Sequence, residues 1–313
     1  MTQTTIPARA WALLLVLAFI WGSSFLTTTT LVETMAPLHV VTHRVLWAAV
    51  FLWVYVAARR LPLPRDAGTI GALLVMGALN NALPFLLQAY AQTTIESGLA
   101  GILNATTAII GPLVAAIFLA DERLTPRKAI GVTLGFLGVS TVIGLHTLTE
   151  LNPRSLAQLA MLASTMAYAL AGVWARKRLG HLRPEVAALG MLTSSTLIML
   201  PLSWALVGPL PLISLSAPTL LALGYYGLII TSFAFLLYYH VIRMAGAGNT
   251  TLVTLLVAPV AVVLGALVRH ETLPVTAFAG FALIAAGLVV LDGRVLKWFR
   301  QRRDVTPRTP QNE

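Results

Sequence analysis

Residues 112–138 read PLVAAIFLADERLTPRKAIGVTLGFLG, and residues 259–287 read PVAVVLGALVRHETLPVTAFAGFALIAAG. The two stretches align without a gap from Glu to the last Gly: Glu, Leu, Gly and Gly at 122, 124, 131 and 138 recur at 271, 273, 280 and 287. A weaker echo relates PFLLQAY at 84–90 to AFLLYYH at 234–240. The sequence therefore predicts two related halves, residues 1–148 and 149–296, followed by a basic cytoplasmic tail at 297–313.

The composition places both halves in a membrane. Of the 313 residues 58% are hydrophobic and 10% are charged, whereas about 25% of the residues in a soluble domain are charged. A soluble fold leaves a large share of its residues facing water, so this composition excludes an ordinary cytosolic enzyme, a disordered protein and a nucleic-acid binder. It indicates an all-α polytopic membrane protein.

Ten segments are long enough to cross a bilayer, which takes ~20 apolar residues per helix. Their apolarity is continuous, without the short-period alternation of a membrane β-barrel. The first run is too long for the core of a signal peptide, so we expect it to remain as a helix. The segments are 11–31, 37–58, 69–90, 97–119, 127–145, 155–175, 184–206, 218–241, 249–269 and 275–296.

The loop charges predict the orientation of these helices. With a cytoplasmic N-terminus, 18 of the 21 Lys and Arg residues fall in inner loops or the tail, and only Arg154 and Arg269 fall in outer loops. Cytoplasmic loops carry the excess of Lys and Arg in membrane proteins. The sequence therefore predicts that both termini lie in the cytoplasm.

Each half contains five helices, which is an odd number, so the second half must be inserted upside down relative to the first. The loop after helix 4 carries Arg123, Arg127 and Lys128, as an inner loop does, whereas the corresponding loop after helix 9 has Arg269 as its single Lys or Arg. Inverted repeats are a common architecture of secondary transporters, in which the substrate binds between the halves. The fold predicted from the sequence is therefore ten transmembrane helices in two inverted five-helix repeats.

The residues resemble the EamA-type branch of the drug/metabolite transporter superfamily over nearly the whole chain. The resemblance rests on Trp21-Gly22-Ser23-Ser24, on Arg44 early in helix 2, and on the duplicated Pro…Glu-x-Leu…Gly…Gly pattern. It implies a carrier in a bacterial inner membrane, often an exporter of amino acids or related metabolites. In one departure from the duplication, helix 7 has no counterpart of Arg44.

Polar side chains at bilayer depth are costly and usually face a cavity or another helix. They predict a central substrate pocket, in which neutral amides and hydroxyls bind a small polar metabolite and aromatic rings form the walls. Helix 8 also offers Tyr225, Thr231 and Ser232. Interhelical hydrogen bonding is the alternative role for all of these groups. The predicted substrate-binding residues are Trp21, Ser24, Asn80, Asn81, Gln88, Asn104, Thr107, Tyr168, Tyr226, Tyr238 and Thr254.

Three prolines lie inside predicted helices, where each removes a backbone hydrogen bond. Pro84, Pro112 and Pro259 are therefore candidate hinges, with a static kink as the alternative. Glu122 and Glu271 each precede a helix whose N-terminus the carboxylate can cap.

The charged and titratable candidates have several possible roles. Arg44 can snorkel outward, pair with a helix-end carbonyl or with Glu96, or hold a substrate carboxylate. A proton relay would have to use His43, His240 or Glu96, because every acid lies near a helix end. We expect no cofactor, metal or catalytic group, a small-molecule substrate, contact with membrane lipid, and a monomer or homodimer. The alternatives are a membrane-embedded enzyme, or a facilitator for nucleosides, amines or drugs.

Overall fold

A computed structural model describes residues 7–120, 125–143, 153–211, 215–245 and 252–292. Glu122, the tail at 297–313 and the boundary between the halves at 148 lie outside these residues. The described residues form helices and loops, and contain no β-strand. In chain order the helices are α1 Ala8–Val32, α2 Pro37–Ala58, α3 Ala67–Ala91, α4 Ser97–Phe118, α5 Pro126–Ile143, α6 Pro153–Arg178, α7 Pro184–Leu206, α8 Ala217–Ala245, α9 Leu252–Arg269 and α10 Val275–Asp292.

Seven of these helices are long and apolar enough to cross a membrane, namely α1 to α4 and α6 to α8. The other three predicted segments are also helical, with shorter apolar stretches at Ala129–Val142, Leu256–Arg269 and Val275–Gly287. Many large apolar side chains on the outside of the bundle are exposed, as on a surface that meets lipid. The described residues therefore form a multi-pass helical membrane protein.

Local chemistry interrupts three of the helices. In α3 the residues Ala78–Ala82 form a π-helical turn immediately before Pro84, which has no N–H to offer the carbonyl of residue 80. In α8 the π-helical segment is longer, Tyr225–Phe233, and the Thr231 and Ser232 hydroxyls donate to carbonyls five residues earlier. Helix α4 breaks between Ser97–Asn104 and Thr107–Phe118. Wide turns of this kind often occur at functional sites.

The largest helix–helix contacts follow a two-fold pattern. The operation exchanges α1 with α6, α2 with α7, and so on to α5 with α10. It converts the α1–α9 contact into α6–α4, the α2–α8 contact into α7–α3, and the α3–α6 contact into α8–α1. The contacts α2–α7, α4–α9 and α5–α10 are exchanged with themselves. Helices from the two halves of the chain therefore alternate throughout the bundle.

Helices α5 and α10 pack along the glycines that the duplicated stretch repeats. A Cβ atom on Gly138 would lie 2.7 Å from the carbonyl oxygen of Gly280, and one on Gly287 would lie 2.6 Å from that of Gly131. Small residues let helix backbones approach closely in membranes. The backbones of α5 and α10 therefore approach each other closely along these glycines.

Candidate functional site

Arg44 of α2 lies inside the bundle with 6% of its surface exposed. Its Nε donates to Thr231 Oγ1 and its Nη1 donates to the Tyr226 hydroxyl, both at 3.0 Å. The guanidinium carbon lies 3.5 Å from the ring centroid of Phe85 and 4.4 Å from that of Tyr226. These contacts hold the cation between α3 and α8, with an aromatic face on two sides.

The hydroxyls around Arg44 form a directed chain of hydrogen bonds. The Thr28 hydroxyl lies 2.6 Å from the Tyr226 hydroxyl and donates to the carbonyl of Ser24 at 2.7 Å, so Tyr226 donates to Thr28. Thr231 accepts from Arg44 and donates to the backbone carbonyl of Tyr226 at 2.9 Å. Every hydroxyl in the chain thus donates one bond and accepts another. We call Thr28, Arg44, Phe85, Tyr226 and Thr231 the arginine cluster.

The structure corrects two of the roles considered for Arg44. The side chain does not snorkel to the helix end, and it does not pair with Glu96, whose carboxylate binds Arg154 instead. Within the described ranges no acidic side chain forms an ion pair with Arg44. Arg44 lies seven residues after the start of α2, and charged side chains inside membrane-spanning helices are costly, so the chain retains a costly charge here.

A second polar cluster is uncharged and centres on Gln88 of α3. Its Nε2 lies 3.2 Å from the Tyr168 hydroxyl, 3.4 Å from Ser164 Oγ and 3.4 Å from Asn104 Oδ1. The side-chain nitrogen of Gln88 has two N–H groups. It therefore has two donors for three acceptor oxygens, all of which lie at long hydrogen-bond distances. We call Gln88, Asn104, Ser164 and Tyr168 the amide cluster.

The two clusters adjoin each other through α3. Phe85, which stacks on Arg44, lies three residues before Gln88, so the two side chains are neighbours on one helix face. Polar groups from α1, α2, α3, α4, α6 and α8 therefore meet in one region, which draws on both halves of the chain.

Aromatic rings also contact one another between α1 and α8. Trp21 of α1 lies 5.4 Å from Tyr238 and 6.5 Å from Phe235, measured between ring centroids. Tyr238 in turn contacts the ring of Tyr239 at 5.6 Å. The predicted aromatic residues Trp21 and Tyr238 are thus brought together between α1 and α8.

Several predicted pocket residues occupy other positions. Ser24 and Thr107 donate to backbone carbonyls three residues earlier, at 2.6 and 2.8 Å, which is the local alternative for helix hydroxyls. Asn80 donates to Asn81 Oδ1 at 3.4 Å and contacts the Met191 sulfur at 3.5 Å. Thr254 of α9 is half-buried.

Asn81 is fully buried, and its Nδ2 has no hydrogen-bond partner among the described residues. The backbone places Asn81 about one turn before Phe85 on α3. A buried amide donor ordinarily has an acceptor. Asn81 therefore offers an unused donor close to the arginine cluster.

The candidate hinges differ in their surroundings. Pro84 is buried beside the π turn of α3, whereas Pro112 lies within Thr107–Phe118, after the break in α4. Pro259 is exposed on α9. The break in α4 directly follows Asn104, so one residue of the amide cluster adjoins an irregular stretch of backbone.

The predicted relay candidates lie apart from the clusters. His240 is exposed, and Glu96 forms an exposed ion pair with Arg154 at 2.9 Å. His43 is fully buried, and its Nδ1 lies 3.3 Å from Trp47 Nε1. With Leu220, Leu223 and Leu228, these two side chains line a hollow that is almost entirely apolar.

Glu271 caps a different helix from the expected one. The sequence predicted a cap on the following helix, α10, but the carboxylate accepts from the backbone N–H groups of Ser97 and Gly98 at 3.0 Å each, and from the Ser97 hydroxyl. It therefore caps α4. The negative charge of a carboxylate at the N-terminus of a helix also interacts favourably with the helix dipole.

Glu271 belongs to a group of charges at one end of the bundle. Arg269 pairs with Glu33, and Arg154 pairs with Glu96. The pairs join the C-terminal ends of α1 and α9 and the N-terminal ends of α4 and α6. We call Glu33, Glu96, Arg154, Arg269 and Glu271 the ionic rim.

Sequence reasoning missed three residues of the clusters: Thr28, Phe85 and Ser164. Thr28 stands in a run of four threonines, Phe85 has an unremarkable apolar side chain, and Ser164 is a single hydroxyl in a long helix. No local signal separates such residues from ordinary core residues. Thr231 was recognised as a mid-depth hydroxyl, but its bond to Arg44 depends on how α2 and α8 pack.

Together, the fold and these clusters define a multi-pass membrane protein with a buried polar site enclosed by helices of both halves. A family model for the EamA-like transporter family matches residues 9–144 and again 155–291. The chain therefore belongs to the EamA-like transporter family, as the resemblance had implied.

The chain is also similar to two curated proteins and to one solved structure. It is 27% identical to Protein PecM of Dickeya dadantii, over 92% of this chain and 93% of that protein. It is 26% identical to a protein named "Probable terminal-alkyne amino-acid exporter" of Streptantibioticus cattleyicolor, over 80% of this chain and 78% of that protein. A crystal structure at 20% identity covers 91% of this chain with a TM-score of 0.63, which supports the fold.

Proposed function

We propose that this protein is a secondary transporter that exports small polar metabolites such as amino acids by alternating access. The observation that carries the proposal is the meeting of the arginine and amide clusters between helices of both halves. Buried polar groups at a repeat interface are the usual place for substrate in such carriers. The name of the Streptantibioticus relative supports amino acids as the substrate class.

The proposal includes ten crossings in two inverted halves. The duplicated sequence, the two family matches and the two-fold pattern of helix contacts support it. In an inverted repeat the two halves can exchange conformations, which opens a central site to each side in turn. The charge distribution over the loops supports cytoplasmic termini in a bacterial inner membrane.

The two ends of the bundle support an alternating mechanism. The ionic rim ties α1, α4, α6 and α9 together at the end with the outer loops. At the opposite end Glu185 of α7 lies 3.5 Å from Arg243 of α8. The Arg154–Glu96 and Arg269–Glu33 pairs are partly exposed, and exposed ion pairs are worth about 0–1 kcal/mol each, so these two pairs add little to the cost of opening that end.

Transport is tested with the purified chain in proteoliposomes. Counterflow of labelled amino acids, nucleosides and amines is measured for the unaltered protein and for Gln88→Ala with Asn104→Ala. We expect amino-acid counterflow that the double substitution reduces, with unchanged protein yield. Counterflow of nucleosides or amines alone, or of no compound, contradicts the proposal.

The inverted topology has its own test, because the chain contains no cysteine and single-cysteine variants have no background. Arg127→Cys and Thr272→Cys are labelled in intact cells and in inverted vesicles with a membrane-impermeant maleimide. We expect Arg127→Cys to react only from the inside and Thr272→Cys only from the outside. Labelling of both from one side refutes the inverted arrangement.

A further inference from the structure

We propose that Arg44 binds the carboxylate of the transported molecule, an inference that rests on the proposed transport function. The substrates would then be small molecules with one carboxylate, and analogues without a carboxylate would bind poorly. The guanidinium combines burial, fixed orientation and an unneutralised charge within the described part of the chain.

The orientation of the guanidinium leaves part of it free for a ligand. Nε and Nη1 donate to Thr231 and Tyr226, while the Nη2 donors have no hydrogen-bond partner in the part of the chain that the structure describes. The rings of Phe85 and Tyr226 pack against the guanidinium carbon, with centroids at 3.5 and 4.4 Å, so the edge that carries Nη2 is the part left for a ligand. The edge of a guanidinium is where a carboxylate binds with two parallel hydrogen bonds.

The surroundings of Arg44 favour a single negative charge. The described side chains in contact with it are neutral hydroxyls and aromatic rings, so one cation serves the whole site. A phosphate carries about −1.5 to −2 charges at neutral pH, and one arginine balances it incompletely. A carboxylate carries one charge and matches the arginine.

An independent observation points to the same ligand chemistry. Asn81 is fully buried and has an unpaired Nδ2 donor, about one turn before the ring that stacks on Arg44. An acceptor oxygen of the ligand would satisfy that donor. Nη2 of Arg44 and Nδ2 of Asn81, on neighbouring helices, are therefore both donors without an acceptor in the part of the chain that the structure describes.

The inference also explains why the chain tolerates a charge at this depth. Intramembrane arginines ordinarily pair with other groups or mark a substrate pathway. Arg44 forms its hydrogen bonds with hydroxyls that keep their other partners, so the packing does not require the positive charge. A bound carboxylate would supply the counter-charge, and this gives the buried guanidinium a role in substrate binding.

The experiment compares acids with their amides in proteoliposomes. Counterflow of a labelled amino acid is measured with an unlabelled competitor present. The competitors are L-alanine, L-methionine and L-phenylalanine, each compared with its own amide. Since hydrogen bonds to charged groups are strong, we expect each acid to compete about tenfold or more better than its amide. Arg44→Gln should remove this preference and Arg44→Lys should retain part of it. Arg178→Gln is the matched control, because Arg178 also stacks on an aromatic ring, that of Trp174, but is exposed.

The outcomes separate this inference from the proposed function. Counterflow in which amide and acid compete equally keeps the transport function and overturns the role of Arg44. Retention of the acid preference by Arg44→Gln does the same. Absence of counterflow with every acid and amide overturns the transport proposal and this inference together. Inorganic phosphate should compete more weakly than the acids, and stronger competition overturns the assignment to a carboxylate.

A measurement on the unaltered protein covers the case in which Arg44→Gln does not fold. The chain is treated with phenylglyoxal, which modifies arginines, and modification of the peptide that contains Arg44 is quantified by mass spectrometry. L-methionine should protect Arg44 more than methioninamide does, while Arg178 is modified equally in both samples. Equal modification of Arg44 with acid and amide overturns the inference.

Discussion

The arginine cluster and the amide cluster adjoin on α3, but they are built differently. In the arginine cluster the polar contacts span 2.6–3.0 Å and every hydroxyl has one donor and one acceptor partner. In the amide cluster Gln88 shares two donors among three acceptors at 3.2–3.4 Å. The difference indicates a fixed anchor beside an adaptable surface.

This division suits a carrier that must recognise one common group and tolerate varied side chains. Short hydrogen bonds fix the guanidinium in one orientation, because each hydroxyl that accepts from it also donates to a partner of its own. Long contacts with more acceptors than donors rearrange at low cost. The predictions below test the division, beginning with the largest expected effect.

Arg44→Met should abolish transport without unfolding the protein. The substitution removes a buried charge, while Tyr226 still donates to Thr28 and Thr231 still donates to a backbone carbonyl. Replacing buried ionic groups by apolar ones of similar volume is often neutral or stabilising. We expect an unchanged or higher melting temperature and counterflow reduced by about 100-fold, a value that corresponds to about 2.7 kcal/mol. A clearly lower melting temperature would show that the charge holds the helices together.

Tyr226→Phe should reduce transport less than Arg44→Met does and should lower stability. The substitution leaves Nη1 of Arg44 without its acceptor, and an unsatisfied buried donor costs about 1–3 kcal/mol. We expect counterflow to fall about tenfold, which is 1.4 kcal/mol, together with a lower melting temperature.

The matched control for Tyr226→Phe is Tyr225→Phe. The Tyr225 hydroxyl contacts Ser23 at 2.9 Å, outside both clusters, and Ser23 also donates to the carbonyl of Ile20. Counterflow should change little in this variant. Equal losses in the two variants would mean that any tyrosine hydroxyl of α8 matters and that the arginine cluster is not special.

Gln88→Ala should weaken substrate binding by a few fold and leave the melting temperature nearly unchanged. Its contacts are long, and a typical hydrogen bond contributes about 0.5–1.5 kcal/mol. We expect a higher KM in proteoliposome transport, a similar maximal rate and a broader range of accepted side chains. Gln92→Ala is the control, because Gln92 binds Thr29 one turn further along α3. A loss of transport as large as that of Arg44→Met would contradict an adaptable role for the amide cluster.

Ser24→Ala and Thr107→Ala should have the smallest effects. Both hydroxyls donate to carbonyls of their own helix, at 2.6 and 2.8 Å, so no contact between helices is lost. Counterflow should stay within about twofold of the unaltered protein, as surface-like substitutions do within ±0.5 kcal/mol. A larger loss would place these hydroxyls in the substrate site after all.

Much of the site could be predicted from the free-energy cost of placing polar side chains inside a membrane. Arg44, Gln88, Asn104, Tyr168 and Tyr226 stand out because polar groups at bilayer depth need a reason. Ser24 and Thr107 stand out for the same reason, but each hydroxyl has a local acceptor that satisfies it. Polarity alone therefore selects more residues than the structure brings together.

The membrane class, the helical segments, the duplication and the family could all be predicted from the residues in order, because hydrophobicity and repetition are properties of the linear chain. The contacts of Arg44 with Tyr226 and Thr231, and the capping of α4 instead of α10 by Glu271, depend on how the helices pack. These partners lie more than 170 residues apart in the sequence. A hydrogen bond depends on which helices come within about 3 Å of each other, and no local pattern encodes that distance.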